Sequence, residues 1–138
     1  MNYECRQSLH SILGNVNTWN EFGVCLNPKV IIDWRVKGGH LEIKIAQKDN
    51  GKYVYGFNLN YSTGGQGFSP SVHDDGYKSE REAKEAALQY TRKYIEKSIE
   101  WHRYAREDKE YKGVISSLNQ LLTKVKEECF EERQYSLF

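Results

Sequence analysis

A chain of 138 residues has room for one domain with a modest core. With 20 basic and 19 acidic side chains the formal net charge is +1, so no global field selects an anionic partner, and a nucleic-acid surface would have to be a local patch. Aromatic residues make up 13% of the chain, which argues against a disordered polymer.

The first predicted element is a helix, from Cys5, Leu9, Ile12, Leu13 and Val16 at helical spacing, with Gly14-Asn15 as its stop. Met1 to Cys5 is not a basic leader, no apolar run follows it, and the longest aliphatic run is Val30-Ile31-Ile32. The expectation is therefore a cytoplasmic protein with no membrane segment. Thr18-Trp19-Asn20-Glu21 matches a capping box and predicts a second short helical turn, ended at Asn27-Pro28. Cys5, Cys25 and Cys129 are odd in number, widely spaced and without a CxxC pair, so neither a disulfide framework nor a zinc site is indicated.

Val30, Ile32, Trp34 and Val36 alternate as a strand, and Lys37-Gly38-Gly39-His40 supplies a tight turn. Leu41, Ile43 and Ile45 then alternate with polar or small residues, Lys48-Asp49-Asn50-Gly51 breaks the run, and Tyr53, Tyr55, Phe57 and Leu59 resume it. Period-two alternation on both sides of an Asn-Gly turn predicts a hairpin whose apolar face needs a cover. Ser62 to Gly67 is read as a flexible loop, and Phe68 to Val72 as a short fourth strand, placed at an edge by Pro70.

Ser79-Glu80-Arg81-Glu82 is a capping box that opens a long helix. One stripe of that helix holds Ala83, Ala87, Tyr90 and Tyr94, and its neighbour holds Leu88, Thr91, Ile95 and Ile99. This amphipathic helix is the predicted cover for the hairpin. A polar stretch from Trp101 to Lys112 continues the helix or bends near Asp108. Val114, Leu118, Leu121, Leu122, Val125 and Cys129 define a last amphipathic helix. Glu127, Glu128, Glu131 and Glu132 oppose the helix dipole near its end, so fraying is expected before the final residues.

The chain closes on Gln134-Tyr135-Ser136-Leu137-Phe138. This pentapeptide resembles the motif with which bacterial DNA polymerases, repair proteins and replication accessory proteins bind the sliding clamp: Gln, an aliphatic residue, Ser or Asp, Leu, Phe. The resemblance implies that Gln134 hydrogen-bonds in a small polar subsite. Leu137 and Phe138 would fill the clamp's hydrophobic pocket, and Ser136 would fix the turn between them. Tyr135 departs from the aliphatic residue of the family pattern.

The face of Tyr53, Tyr55 and Phe57, rimmed by Lys44, Lys48 and Lys52, resembles a stacking platform of single-strand binders. A half-buried sheet must hide one apolar face, which makes the same rings core under the Ser79 helix. The sheet-then-helix order is loosely similar to double-stranded-RNA-binding and integrase amino-terminal domains, without their signature residues. Arg35, Lys44, Lys52, Arg92, Lys93 and Lys97 are the candidate phosphate contacts for DNA. Gly64 to Gly67 lacks the Gly-Lys-Ser/Thr ending of a phosphate loop. His73, Asp74 and Asp75 read as solvated turn residues rather than a metal site, and His10, His40 and His102 as isolated. No nucleophile shows a partnered base, and no cofactor is implied. Trp101, in a polar stretch, is the candidate protein-binding anchor.

The predicted fold is α+β. A three- or four-stranded antiparallel sheet is covered by a long helix, with an N-terminal helix and a C-terminal helix plus tail. Residues 1–107 form the α+β domain and 108–138 the C-terminal helix and clamp-binding-like tail. The function expected from sequence is a non-enzymatic accessory protein of bacterial, plasmid or phage DNA metabolism. The alternative is an inhibitor or adaptor from a mobile element that blocks a host protein.

Overall fold

A computed structural model of the chain describes residues 16–104 and 109–136, with side chains at 16–104 and 113–129. The helix expected over Cys5 to Val16 falls almost entirely outside them. The described residues form an antiparallel meander, β1 (Lys29–Val36), β2 (Gly39–Gln47), β3 (Tyr53–Tyr61) and β4 (Gly64–Phe68), in the spatial order β1-β2-β3-β4. Two helices follow, α1 (Glu80–Tyr104) and α2 (Lys109–Ser136). No helix among the described residues is long and apolar enough to cross a membrane.

The central hairpin has the predicted register. Leu41 pairs with Leu59, Ile43 with Phe57 and Ile45 with Tyr55, so the apolar sets of β2 and β3 share one face. Gly38 and Gly51 stand at φ +78° and +86°, where an L side chain would be strained, and so permit the tight turns that join β1 to β2 and β2 to β3. Alternation fails only at the start of β1. A bulge between Val30 and Ile32 inserts an extra residue and sends Val30 to the opposite, exposed side.

Both helices lie on the apolar face. Ser79 caps α1: the Glu82 backbone NH donates to Ser79 Oγ at 3.1 Å, and the Glu82 carboxylate accepts from the Lys78 NH at 3.2 Å. Ala83, Ala87, Leu88, Thr91, Ile95 and Ile99 are buried, as their spacing predicts. The small alanines of the first turns allow close approach to β3. On α2, Val114, Leu118, Leu121, Leu122, Val125 and Cys129 are buried in the same cluster as Ile32, Leu41 and Ile43. Ser117 Oγ donates to the Lys37 carbonyl at 2.6 Å and ties α2 to the β1–β2 turn.

Three local expectations are corrected. The segment at Thr18 is not helical: Trp19 bridges Cys25, and Asn20 Oδ1 accepts from the Phe22 and Val24 NH groups around Gly23 at φ +82°. An Asx-type turn outcompetes the capping box because Asn20 offers the backbone those bonds locally. The fourth strand is the glycine stretch itself, Gly64–Phe68, and not Phe68 to Val72. After Phe68 the chain passes over Gly56, and Cys25 NH and Val72 NH then bond to the Pro70 and Gly23 carbonyls. This back segment builds a second small core of Trp19, Cys25, Ala46 and Val54 on the other face of the sheet. Finally, α2 runs to Ser136 rather than fraying before the pentapeptide. Dipole penalties of about 0.3–1 kcal/mol are offset by good helix formers and by the ion pair of Lys84 with Glu128 at 2.7 Å.

Candidate functional site

The rings of the central hairpin are shared between core and surface. Phe57 is buried, with ring centroids of Tyr90 at 5.2 Å, Tyr94 at 5.5 Å and Phe68 at 5.6 Å. Tyr55 lies farther along β3, 5.9 Å from Phe68, 6.2 Å from Tyr90 and 6.3 Å from Tyr77. Phe68 closes the edge strand, and Tyr77 precedes α1. Of the aromatics predicted as core under the Ser79 helix, Tyr55 and Phe57 pack on it, while Tyr53 pairs with Tyr77 through the backbone; the cluster is most exposed at Phe68 and Tyr77, each 38% exposed.

Beside these two rings is a groove of about 460 Å³, lined by Val54, Tyr55, Phe68, Asp74, Asp75, Gly76 and Tyr77. Its wall is held by backbone. Tyr53 and Tyr77 exchange two hydrogen bonds of 2.8 Å, and Gly76 turns the chain at φ +89°. Lys48 Nζ donates to the Asp74 carbonyl at 2.7 Å and fastens the turn to the hairpin. His73 Nε2 lies 3.0 Å from the Phe22 carbonyl, which ties it to the back segment.

Burial, then the neighbouring Tyr77, Tyr90 and Asp74, pushes the Tyr55 phenol up to about 12. The folded state thus holds this proton where the unfolded chain releases it. Stability is expected to fall as pH rises from 10 through 12, with the full contribution present below 10. Alkaline denaturation of Tyr55→Phe, followed by circular dichroism, is expected to show a shallower loss over that interval.

On the opposite face, beyond the second core, β1 and β2 present polar side chains. Asp33 pairs with Glu42 and Arg35 with His40 across β1 and β2. His40 is not isolated: its Nε2 lies 2.5 Å from Asp33 Oδ1 and its Nδ1 4.0 Å from Glu42 Oε1. Ligand atoms of Asp33, His40 and Glu42 fall within 4.8 Å of one another, a donor set suited to a divalent ion. Asp33 is already taken up by His40, and Arg35 Nε stands 3.9 Å from it, so a metal would have to displace both. The sequence signal was His40-x-Glu42 on one strand, but its partner Asp33 is visible only once the register is known. His102 likewise has partners, Ser98 O at 2.6 Å and Thr63 Oγ1 at 3.3 Å.

The six candidate phosphate contacts do not form one surface. Arg35 and Lys44 lie on the open face, since they alternate with the buried set. Lys52 is in the β2–β3 turn, and Arg92, Lys93 and Lys97 are on α1 across the sheet. Arg92 Nε is also paired with Glu96 at 3.0 Å. Trp101 is 59% exposed near the end of α1, edge-on to His102 at 4.9 Å, and Tyr104 one turn later is 80% exposed. Of the pentapeptide, Gln134, Tyr135 and Ser136 belong to the last turn of α2. Leu137 and Phe138 lie outside the described residues. No known protein family, curated protein or solved structure matches this chain.

Proposed function

We propose that this chain is a non-enzymatic accessory protein of bacterial, plasmid or phage DNA metabolism, located in the cytoplasm, that docks on the sliding clamp. The pentapeptide Gln134-Tyr135-Ser136-Leu137-Phe138 would be the anchor, and the body would contact DNA or protein. The observation that carries this reading is the pentapeptide itself, which follows Cys129, the last buried residue described on α2. Continued at helical spacing, the core stripe would reach residues 132, 133 and 136. These are Glu, Arg and Ser, so the apolar Leu-Phe pair is not needed to complete the stripe.

Burying Leu137 and Phe138 in a partner is worth roughly 3–6 kcal/mol before ordering costs. Those costs include release of the last helical turn, which holds Gln134 to Ser136, so micromolar affinity is expected. Calorimetric titration of purified protein into a bacterial sliding clamp is expected to show such binding. Deletion of Leu137-Phe138 is expected to abolish it, and equal binding by the deleted form would end the reading.

A second reading, an adaptor or inhibitor that blocks a host protein, is favoured by the exposed pair Trp101 and Tyr104. A stable protein complex that survives deletion of Leu137-Phe138 but not Trp101→Ala would select it. Salt-dependent DNA affinity, lowered by Lys93→Ala with Lys97→Ala, would select a DNA-contacting body.

A further inference from the structure

The groove beside β4 brings ring surface and unpaired carboxylates to one place. Tyr55, Phe68 and Tyr77 line it, their rings tilted 31° to 52° from that of Tyr55, so they form a corner rather than a flat wall. Asp74 and Asp75 line the same groove. Among the described residues, neither carboxylate takes part in a hydrogen bond or an ion pair. The nearby Lys48 ammonium goes to the Asp74 backbone carbonyl instead.

The geometry points to a site for a guanidinium group, carried by an arginine side chain of a polypeptide partner. The chemistry selects it. The faces of aromatic rings are negative and attract cations. A planar guanidinium stacks on a ring and still offers its edge to a carboxylate. A lysine ammonium is compact and strongly hydrated, and gains less from stacking. A phosphate or an acidic peptide would meet two like charges. A neutral aromatic ligand would leave both carboxylates unanswered. The volume of about 460 Å³ falls in the range of sites that hold a whole side chain and more. Phe68 and Tyr77 are partly exposed, so a side chain can enter while its backbone stays outside.

The site is independent of the pentapeptide and of any clamp. The test is a titration of the ¹⁵N-labelled full chain with capped arginine tripeptide, and with the same peptide carrying citrulline or lysine. Citrulline has the shape of arginine without its charge. Shifts at the amides of Tyr55, Phe68 and Asp74 to Tyr77 are expected with arginine, with citrulline binding about fivefold to tenfold weaker and lysine in between. Asp74→Asn with Asp75→Asn is expected to remove that preference. Should this variant not fold, added salt on the unaltered chain is expected to weaken arginine and leave citrulline unchanged. Equal binding of arginine and citrulline, or shifts confined to other residues, would overturn the site. Free guanidinium ion binding as well as the tripeptide would overturn the assignment to a polypeptide.

Discussion

A chain ended after residue 107 is expected not to fold cooperatively. The expectation rests on what α2 covers. Val114, Leu118, Leu121, Leu122, Val125 and Cys129 are buried in one cluster with Ile32, Leu41 and Ile43, and α2 packs on β1, β2 and β3. At about 1.5–3 kcal/mol for each large side chain, their burial is of order 10 kcal/mol. A domain of this size has a net stability of only about 5–15 kcal/mol, so the loss cancels most or all of it. The Ser117 bond to the Lys37 carbonyl is lost as well, and with it the tie to the β1–β2 turn. Urea denaturation followed by Trp fluorescence checks this: residues 1–107 are expected to show no sigmoidal transition. A clean transition near that of the full chain would mean that residues 1–107 are self-sufficient and α2 is an appendage.

The elements visible in the sequence were those whose burial follows a local period. The hairpin from Leu41 to Leu59 has side chains alternating around an Asn-Gly turn, and β2 and β3 need nothing remote to fix their register. The stripes of α1 and α2 are equally local. The fourth strand was hidden because its signal is negative. Gly64, Gly65 and Gly67 carry no side chains to alternate, and the strand exists because Gly65 and Gly67 lie against the Leu59 carbonyl and the Asn58 side chain, where a Cβ would collide. The turn after Trp19 was hidden because Thr18 to Glu21 satisfies a capping pattern, while its Asn20 serves an Asx-type turn that Gly23, beyond the pattern, completes. The site residues divide in the same way. Tyr55 was visible on the hairpin, but the groove needs Phe68, Asp74 and Tyr77, which reach it by turns that periodicity does not see. The His40 contact with Asp33 depends on a cross-strand register shifted by a bulge. The pentapeptide was legible only as a short pattern, which on the proposed reading owes its residues to a partner and not to the fold.

Phe57→Ala is expected to destabilise the protein by about 3–5 kcal/mol, the cost of removing a buried aromatic ring whose cavity collapses only in part. Phe57 is 1% exposed and pairs with Ile43 on β2, while three rings from α1 and β4 pack around it. Those ring contacts are lost with the transfer energy. Phe57→Leu keeps most of the volume and is expected to cost much less, about 1–1.5 kcal/mol. The denaturation midpoint of each variant, at constant slope, checks both figures. Alanine at Val30, an apolar residue turned outward by the bulge, is expected to change stability by less than about 0.5 kcal/mol. The comparison separates two uses of the same rings. A stacking platform for single-stranded nucleic acid would lose affinity and keep its stability when Phe57 is cut back, because platform rings face solvent. Burial puts Phe57 on the other side of that choice. Tyr77→Ala, at the exposed lip of the same cluster, is expected to leave the midpoint nearly in place while weakening arginine binding in the groove. An unchanged midpoint for Phe57→Ala would mean that α1 does not cover the hairpin as described, and the groove walls that depend on it would fall with it.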